Sequence, residues 1–306
     1  MTDPLADVVT LLRPSAAFSK SVSGSGPWRV RRAEHGRPFY CAVLEGSCGL
    51  AVRGRDRMIL EPGDFVLIPA ADTFEMSSLT PPTEGFETLP VEVGPGEFRI
   101  GHEVRPADIR MLVGYCTFGS PDAGLLVSLL PSLVHVRGET RLASLMQLIG
   151  DEARQRRPAR DLILERLLEV MLIEALRSMD GPATTPGLVR GLSDDRLAAA
   201  LRRMHERPTE AWTVARMAHE AGLSRSVFFE RFGRAVGVAP MEYLLAWRMA
   251  LAKDLLRREG GGIAEVAERV GYGSASTFSV AFSRHVGLPP AVYAQEQRQS
   301  SGARSA

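Results

Sequence analysis

Along the chain the spacing of apolar positions changes twice. From about Gly26 to Phe118 it runs in short stretches rich in Val, Leu, Phe and Tyr: Phe39–Leu44, Gly49–Val52, Met58–Leu60, Phe65–Ile68, Phe86–Val93 and Met111–Phe118. Turn-forming groups separate them, among them Glu45-Gly46, Arg53-Gly54-Arg55-Asp56 and Pro62-Gly63-Asp64, and Pro81 to Gly85 reads as a longer surface loop. Such runs, repeating every ~8–12 residues, predict an antiparallel sandwich or barrel. From Leu129 to Met179 the spacing becomes three and four, first at Leu142, Leu145, Met146 and Ile149. It continues at Leu164, Leu167, Leu168, Met171, Leu172, Ala175 and Leu176. Two amphipathic helices fit, broken near Pro158. The second is apolar on more than one face, because Ile163, Val170 and Ile173 widen its stripe. Two readings are equally compatible with that: burial against its own barrel, or a dimer seam through Leu164, Leu167, Leu168, Met171 and Leu172.

The segment Asp180–Gly191 (DGPATTPGLVRG) lacks apolar periodicity and reads as an exposed linker. Beyond it, Leu192 to Tyr293 reads as helical throughout and contains an internal repeat. Phe228–Tyr243 (FFERFGRAVGVAPMEY) and Phe278–Tyr293 (FSVAFSRHVGLPPAVY) share seven identities in sixteen positions at an offset of 50. Upstream the offset becomes 49, pairing Ala215 with Ala264, Ala218 with Ala267 and Gly222 with Gly271, so the second copy has one extra residue within Tyr272-Gly273. Repetition of this kind means two copies of one supersecondary unit.

Each copy has a local physical reading. Thr213 caps a helix with Val214, Met217, Ala218 and Ala221 on one face, and Gly222 ends it where a left-handed residue costs little. Ser224 then caps a second helix with Phe228 and Phe232 at i and i+4, ended by Gly237. A small Ala218 allows the helices to approach closely. Helix, glycine turn, helix is the pattern of a helix-turn-helix, and Ala267, Gly271 and Phe278 repeat it. Two helical hairpins of an ordinary bundle, or a protein–protein adaptor, explain the helices but not the doubled turn-and-cap pattern.

Charge agrees with this only weakly. Lys+Arg 37 and Asp+Glu 36 give a net charge of +1. Residues 1–192 carry 21 basic and 24 acidic residues (−3), and residues 193–306 carry 16 and 12 (+4). The last third is therefore where a nucleic-acid surface is expected. The N-terminus MTDPLADVV has no basic leader, and no apolar run reaches the ~18–20 residues of a membrane span, so no membrane association and a cytoplasmic location are expected. Three cysteines, Cys41, Cys48 and Cys116, with no CxxC pattern, argue against a disulfide framework or a structural zinc.

On these motifs residues 193–298 resemble the double helix-turn-helix DNA-binding domain of the AraC/XylS family of transcription regulators, most closely in GYGSASTFSVAFSRHVGLPPAVY (271–293). Residues 3–180 less specifically resemble a cupin-type N-terminal domain, through FYCAVLEGSCGL and LEPGDFVLIP. The expected fold is two-domain α+β: a cupin-like effector-sensing barrel (1–128), dimerisation helices (129–179), a linker (180–192), an all-α DNA-binding domain (193–298) and a disordered tail (299–306).

Between the repeats, Pro240–Arg258 reads as a helix of 19 residues. At ~1.5 Å per residue it spans roughly 28 Å, close to the ~34 Å between major grooves on one DNA face. With Phe228 and Phe232 inward, helical geometry exposes Ser226, Glu230 and Arg234, flanked by Arg225 and Phe229. The second unit exposes Ser276, Val280 and Arg284, flanked by Ser279, with Ser274 and Thr277 near the helix start. The resemblance implies base contacts at Ser226, Phe229, Glu230, Ser276 and Val280; Thr277 and Ser279 join that set by position. Arg is common in the family where Glu230 and Val280 stand, so strong guanine reading is not expected there. Glu230 either accepts from a cytosine amino group or pairs with Arg234 at i+4, and Val280 suits a thymine methyl. Ser224, Arg225, Arg231, Arg234, Ser274 and Arg284 are assigned to phosphates.

Where related barrels often carry histidines, this chain has Cys41 and Phe74, and His35 and His102 lack ligand spacing. No metal, no cofactor and no catalysis are expected. An apolar cavity for a small organic effector remains, with Cys41, Val43 and Phe74 as its assigned lining. The alternatives are a redox regulator using Cys41 and Cys116, or a metal-dependent cupin enzyme with an accessory helical domain. The expected partners are double-stranded DNA, a small-molecule effector, a second copy of the chain and, for an activator, RNA polymerase.

Overall fold

A computed structural model describes residues 3–83, 85–102, 105–120, 123–128, 130–155, 157–178, 186–258 and 262–302. In chain order the elements are α1 (Pro4–Leu12), β1 (Pro14–Ser25), β2 (Arg29–Glu45), β3 (Cys48–Val52), β4 (Met58–Leu60), β5 (Phe65–Ser77), β6 (Val91–Gly94), β7 (Glu97–Gly101), β8 (Ile109–Phe118), α2 (Ala123–Ser128) and β9 (Val134–Val136). Helices follow: α3 (Thr140–Arg154), α4 (Arg160–Arg177), α5 (Leu188–Leu192), α6 (Asp195–Glu206), α7 (Val214–Glu220), α8 (Arg225–Val236), α9 (Pro240–Arg258), α10 (Ile263–Arg269), α11 (Ala275–Val286) and α12 (Pro290–Gly302).

The chain forms two compact units. The sheet unit holds residues 13–119 and 131–183. Its strands run in the order β4-β3-β5-β2-β8-β1-β7-β6, with β9 paired to β5. The pairs are antiparallel except β1 with β7, which are parallel from Ser21↔Glu97 to Ser25↔Gly101. Leu50 near one edge and Ile100 near the other join one buried cluster with Trp28, Phe39, Phe74 and Met111, so the sheet closes around its core. The turn at Gly46, with φ +72°, admits glycine alone, because a Cβ there would lie 2.0 Å from the Asp108 carbonyl oxygen.

The opposite face of the sheet, including Tyr40, Ala42, Leu112 and Cys116, is also buried. Helices α3 and α4 pack on β1 from this side. Leu164, Leu168, Met171 and Leu172 of α4 are 0–3% exposed within a single chain. This corrects the dimer-seam assignment for those four side chains: their face is closed against the unit's own core, and Leu167 is half-buried. The apolar residues α4 leaves exposed are Leu162, Ile163 and Val170.

Other differences from the sequence reading have local causes. β6 begins only at Val91, since Pro90 has no N–H for a ladder. β1 and β7 fall outside the expected runs. β1 is masked in the sequence by serines that alternate with the inward Lys20 and Val22. The expected linker ends in helix α5, whose Leu188 is fully buried beside α6 and α8; residues 180–185 lie outside the described residues. Helix α12 continues to Gly302, so the tail assigned to 299–306 starts helical, and 303–306 lie outside the described residues.

The helical unit comprises residues 184–306 together with 1–12 and 120–130. The first ten described residues therefore belong with the DNA-binding helices rather than the barrel. Pro4, Leu5, Val8, Val9 and Leu12 form one buried face of α1, and Asp3 Oδ1 accepts from Leu5 N–H at 3.0 Å.

Candidate nucleic-acid interface and effector cavity

The two repeats fold alike, residue by residue. Ser224 and Ser274 have extended backbones, and their hydroxyls accept from the N–H groups of Val227 (3.4 Å) and Thr277 (3.1 Å). In the turns, Leu223 N–H donates to Ala218 O at 2.9 Å and Tyr272 N–H to Ala267 O at 2.8 Å. Leu223 thus matches Tyr272 while Ser224 matches Ser274, which makes Gly273 the extra residue. Gly222 and Gly271 are left-handed, at φ +60° and +84°. Behind the exposed faces an aromatic triad repeats: Phe228–Phe232–Tyr243 with centroid spacings of 5.5 and 5.8 Å, and Phe278–Phe282–Tyr293 with 5.4 and 5.6 Å.

With those aromatics buried, α8 turns Arg225, Ser226, Phe229, Glu230, Arg231 and Arg234 to solvent, and α11 turns Ser276, Thr277, Val280 and Arg284 outward. Phe229 is 51% exposed and Val280 69%, high for apolar side chains. Local bonds sort the polar residues. Glu230 pairs with Arg234 at i+4. Ser279 is half-buried and its hydroxyl donates to Ala275 O at 2.7 Å, so of the α11 hydroxyls it is the one turned back on its own helix. Ser276 Oγ lies 3.0 Å from Ser274 Oγ, at the open start of the helix. Arg231 bonds Asp194, the N-cap of α6, and therefore ties α8 to its neighbour. Burial pushes the Asp194 carboxyl up, but the Arg231 guanidinium and the Leu197 and Arg196 amides outweigh it and hold it below the usual range.

Sequence reasoning missed the bonds that fix these helices from outside the repeats. Arg196 Nη1 donates to Gly222 O at 2.9 Å. Arg248 of α9 donates to Pro208 O and Glu210 O, each at 2.8 Å. Asp194 before an apolar run was a legible cap signal; the others carry no local signature.

In the sheet unit a cavity of about 400 Å³, measured out to its open mouth, is walled by Val22, Trp28, Phe39, Phe74 and Met111, with Lys20, Arg32 and Tyr115 also on it. That volume includes space open to solvent. Phe74 is on the wall of this cavity. Cys41 and Val43 do not line the cavity; they are buried in the cluster further along β2. The register explains this, since Arg32 pairs with Phe74 at the cavity and Cys41 with Val66 at the far end of β5.

Among the described residues no cluster of His, Cys, Asp and Glu fits a metal ion, and no helix is long and apolar enough to cross a membrane. His135 meets a single carboxylate, Asp64, at 3.0 Å. The thiols are buried. β2 and β8 pair Cys41 with Val113, an odd three residues from Cys116, so the two thiols face opposite sides of the sheet and cannot form a disulfide. Burial pushes Cys48 and Cys116 up to about 12 and Cys41 well above the ordinary thiol value.

The chain matches the Cupin family over residues 3–179 and a helix-turn-helix domain family over 217–296. An AraC-like transcription regulator described from Streptomyces lividans is 37% identical over 302 residues, 95% of this chain and 97% of that one. The chain belongs to the AraC-type transcription regulators. It is a DNA-binding protein and not an enzyme. The RCS-specific transcriptional activator RclR of Escherichia coli K12 is 24% identical over 97% of this chain and 99% of its own. The DNA-binding domain of AdpA, solved with a target DNA, is 31% identical over 34% of this chain and 93% of that one, with a TM-score of 0.33. In this AraC-type chain, then, a cupin-like sheet unit accompanies a helical unit carrying the doubled helix-turn-helix.

Proposed function

We propose that this regulator is an effector-controlled activator that acts in the cytoplasm and binds repeated half-sites as a homodimer. One observation carries the DNA part: α8 and α11 keep equivalent aromatic pairs inside and display Ser226, Phe229 and Glu230, or Ser276, Thr277 and Val280, to solvent. These six are the base-facing set; the back-bonded Ser279 is a packing residue. Ser224, Arg225, Ser274 and Arg284 contact phosphates, with Arg234 beside them once Glu230 releases it. Arg231 holds α8 against α6. Helix α9, at 19 residues and ~1.5 Å per residue, is long enough to space the two units groove to groove.

The cavity in the sheet unit supports the sensing role. Activation rests on the full-length relative named as an activator, and requires a contact with RNA polymerase. Footprinting on DNA upstream of its own gene tests the reading. The expected result is protection of about two helical turns per subunit, in paired blocks. A single unpaired footprint overturns the homodimer, and absence of any sequence preference overturns the assignment of the base-facing set.

A further inference from the structure

A single connecting helix such as α9 sets the distance between two helix-turn-helix units but not the angle at which each is held. In the helical unit a second joint supplies that constraint. Arg248 leaves the middle of α9, and its guanidinium donates to Pro208 O and Glu210 O, each at 2.8 Å. Those carbonyls belong to the loop between α6 and α7, which leads into the first helix-turn-helix. The same guanidinium lies 5.9 Å from the ring centroid of Tyr272, in the turn of the second. Beside it the backbone of Gly271 comes so close that a Cβ there would lie 2.8 Å from Arg248 Nη2, Pro208 O and Thr209 Cα. The equivalent Cβ at Gly222 would meet nothing within 4 Å, so the close approach belongs to the joint and not to the repeat. Both sides of the joint are themselves fixed. In the loop, Trp212 Nε1 donates to Arg207 O at 2.9 Å, and the Glu210 carboxylate pairs with Arg216 of α7. In the turn, Tyr272 packs edge-on against Phe278 of α11, with ring centroids 5.5 Å apart. A guanidinium suits this place because its planar fork serves two carbonyls at once and its face can lie beside an aromatic ring.

We propose that Arg248 is a positioning residue for DNA recognition. Its clamp between the Pro208–Glu210 loop and the Gly271–Tyr272 turn sets the register of α11 relative to α8, and so fixes the number of base pairs between the two blocks that one subunit reads. This rests on the reading of α8 and α11 as the groove-facing helices and adds what selects their spacing. One base pair more or less moves the second block by ~3.4 Å along the duplex and turns it by roughly 35° around the axis. A helix-turn-helix that is only tethered follows such a change. One held by two carbonyl bonds and a backbone contact does not, so spacing is read through the protein's rigidity at base pairs that no side chain touches.

The test uses the full-length protein and a library of random-sequence duplexes, from which bound DNA is selected and sequenced. Wild type is expected to enrich two sequence blocks per subunit at one fixed spacing. It should bind the enriched site at least about tenfold more tightly than the same site with one base pair inserted between the blocks, the scale of one lost base contact. Arg248→Gln is expected to enrich the same two blocks at spacings spread to either side, and its preference between the two duplexes falls to near unity. Arg248→Lys keeps the charge but has no planar fork, so it should fall between these two; it is the second variant should Arg248→Gln fail to fold. A single fixed spacing in every variant that folds overturns the proposal, because α9 alone then sets the register. A spread of spacings in wild type overturns it as well. So does loss of the second block from both variants, which makes Arg248 a support for the fold of the second helix-turn-helix. Enrichment of no block, or of one block per subunit, by wild type overturns the reading of α8 and α11 themselves and this inference with it.

Discussion

His205 Nε2 and the Tyr243 hydroxyl lie 2.7 Å apart in the core of the helical unit, and the other ring nitrogen of His205 lies 3.0 Å from the Asp7 carboxylate. An ionised carboxylate only accepts, so Nδ1–H donates to Asp7 and Nε2 accepts from the Tyr243 O–H, which fixes a neutral tautomer. The imidazole also stacks on Trp247 at 3.9 Å. In this way α1 is bonded through α6 to the helix that joins the two repeats.

The histidine makes the helical unit acid-sensitive. Burial lowers the His205 pKa, against the opposing pull of the Asp7 and Asp3 carboxylates. Folded protein therefore binds fewer protons than unfolded protein below the ordinary value of about 6.5, and stability rises with pH there. The contribution is complete above about pH 6.5 and is lost as pH falls through the depressed folded value. Thermal melts of the full chain should show this slope, and His205→Phe should flatten it while costing about 2–3 kcal/mol at neutral pH through the unpaired Tyr243 hydroxyl. Identical pH profiles for the two proteins would contradict the assignment.

The equivalent glycines of the two turns should respond unequally to the same substitution. A Cβ at Gly222 meets open space, whereas one at Gly271 would sit 2.8 Å from Arg248 Nη2, Pro208 O and Thr209 Cα. Gly222→Ala pays only for a left-handed alanine, about 1–2 kcal/mol. Gly271→Ala adds overpacking of about 1–3 kcal/mol and dislodges Arg248 from the carbonyls that hold it. Urea unfolding that ranked the two variants equal would mean that the second turn is not pinned to α9.

Much of the DNA-facing architecture was legible in the sequence because its determinants are local. Ser224 and Ser274 lie three residues from the N–H groups they cap, and Phe228/Phe232 and Phe278/Phe282 are one turn apart. The exposed set on each second helix follows from those inward aromatics alone. What could not be read depends on residues far apart. Asp7 and His205 are separated by 198 positions, and nothing in PLADVVTLL says that its apolar face fits the helical unit. In the sheet, alternation placed Cys41 and Val43 on the inner face correctly, but it carries no information on depth along a strand. The cavity lies at the Val30–Arg32 end of β2 instead. A stripe such as Leu164–Leu168–Met171 likewise announces burial without naming its partner.

The thiols should be silent in the native protein. Burial raises all three, and Cys41 and Cys116 lie on opposite faces of the sheet. A chromogenic disulfide reagent at pH 8 is expected to label none of them until denaturant is added. Both wild type and the Cys41→Ser/Cys116→Ser variant should bind DNA equally with and without mild oxidant. Rapid labelling of folded protein, or an oxidant effect that the variant abolishes, would revive a thiol switch.

Arg284 and Val280 stand one turn apart on α11, yet their substitutions should have different signatures. With Arg284 on a phosphate, as proposed, Arg284→Ala should lower affinity for every sequence and reduce the salt slope by about one. Val280 has no polar atom to offer a base edge, and at 69% exposure it is free to cover a thymine methyl in the groove. Replacing thymine by deoxyuridine at the contacted step removes that methyl, worth about 0.8 kcal/mol or roughly fourfold in affinity. Wild type should lose that factor, whereas Val280→Ala should bind the two duplexes alike and keep the wild-type salt slope. If Val280→Ala still distinguished thymine from deoxyuridine at every position of the half-site, the methyl would be read by another side chain, and the exposed apolar position on α11 would not be the one that selects the base.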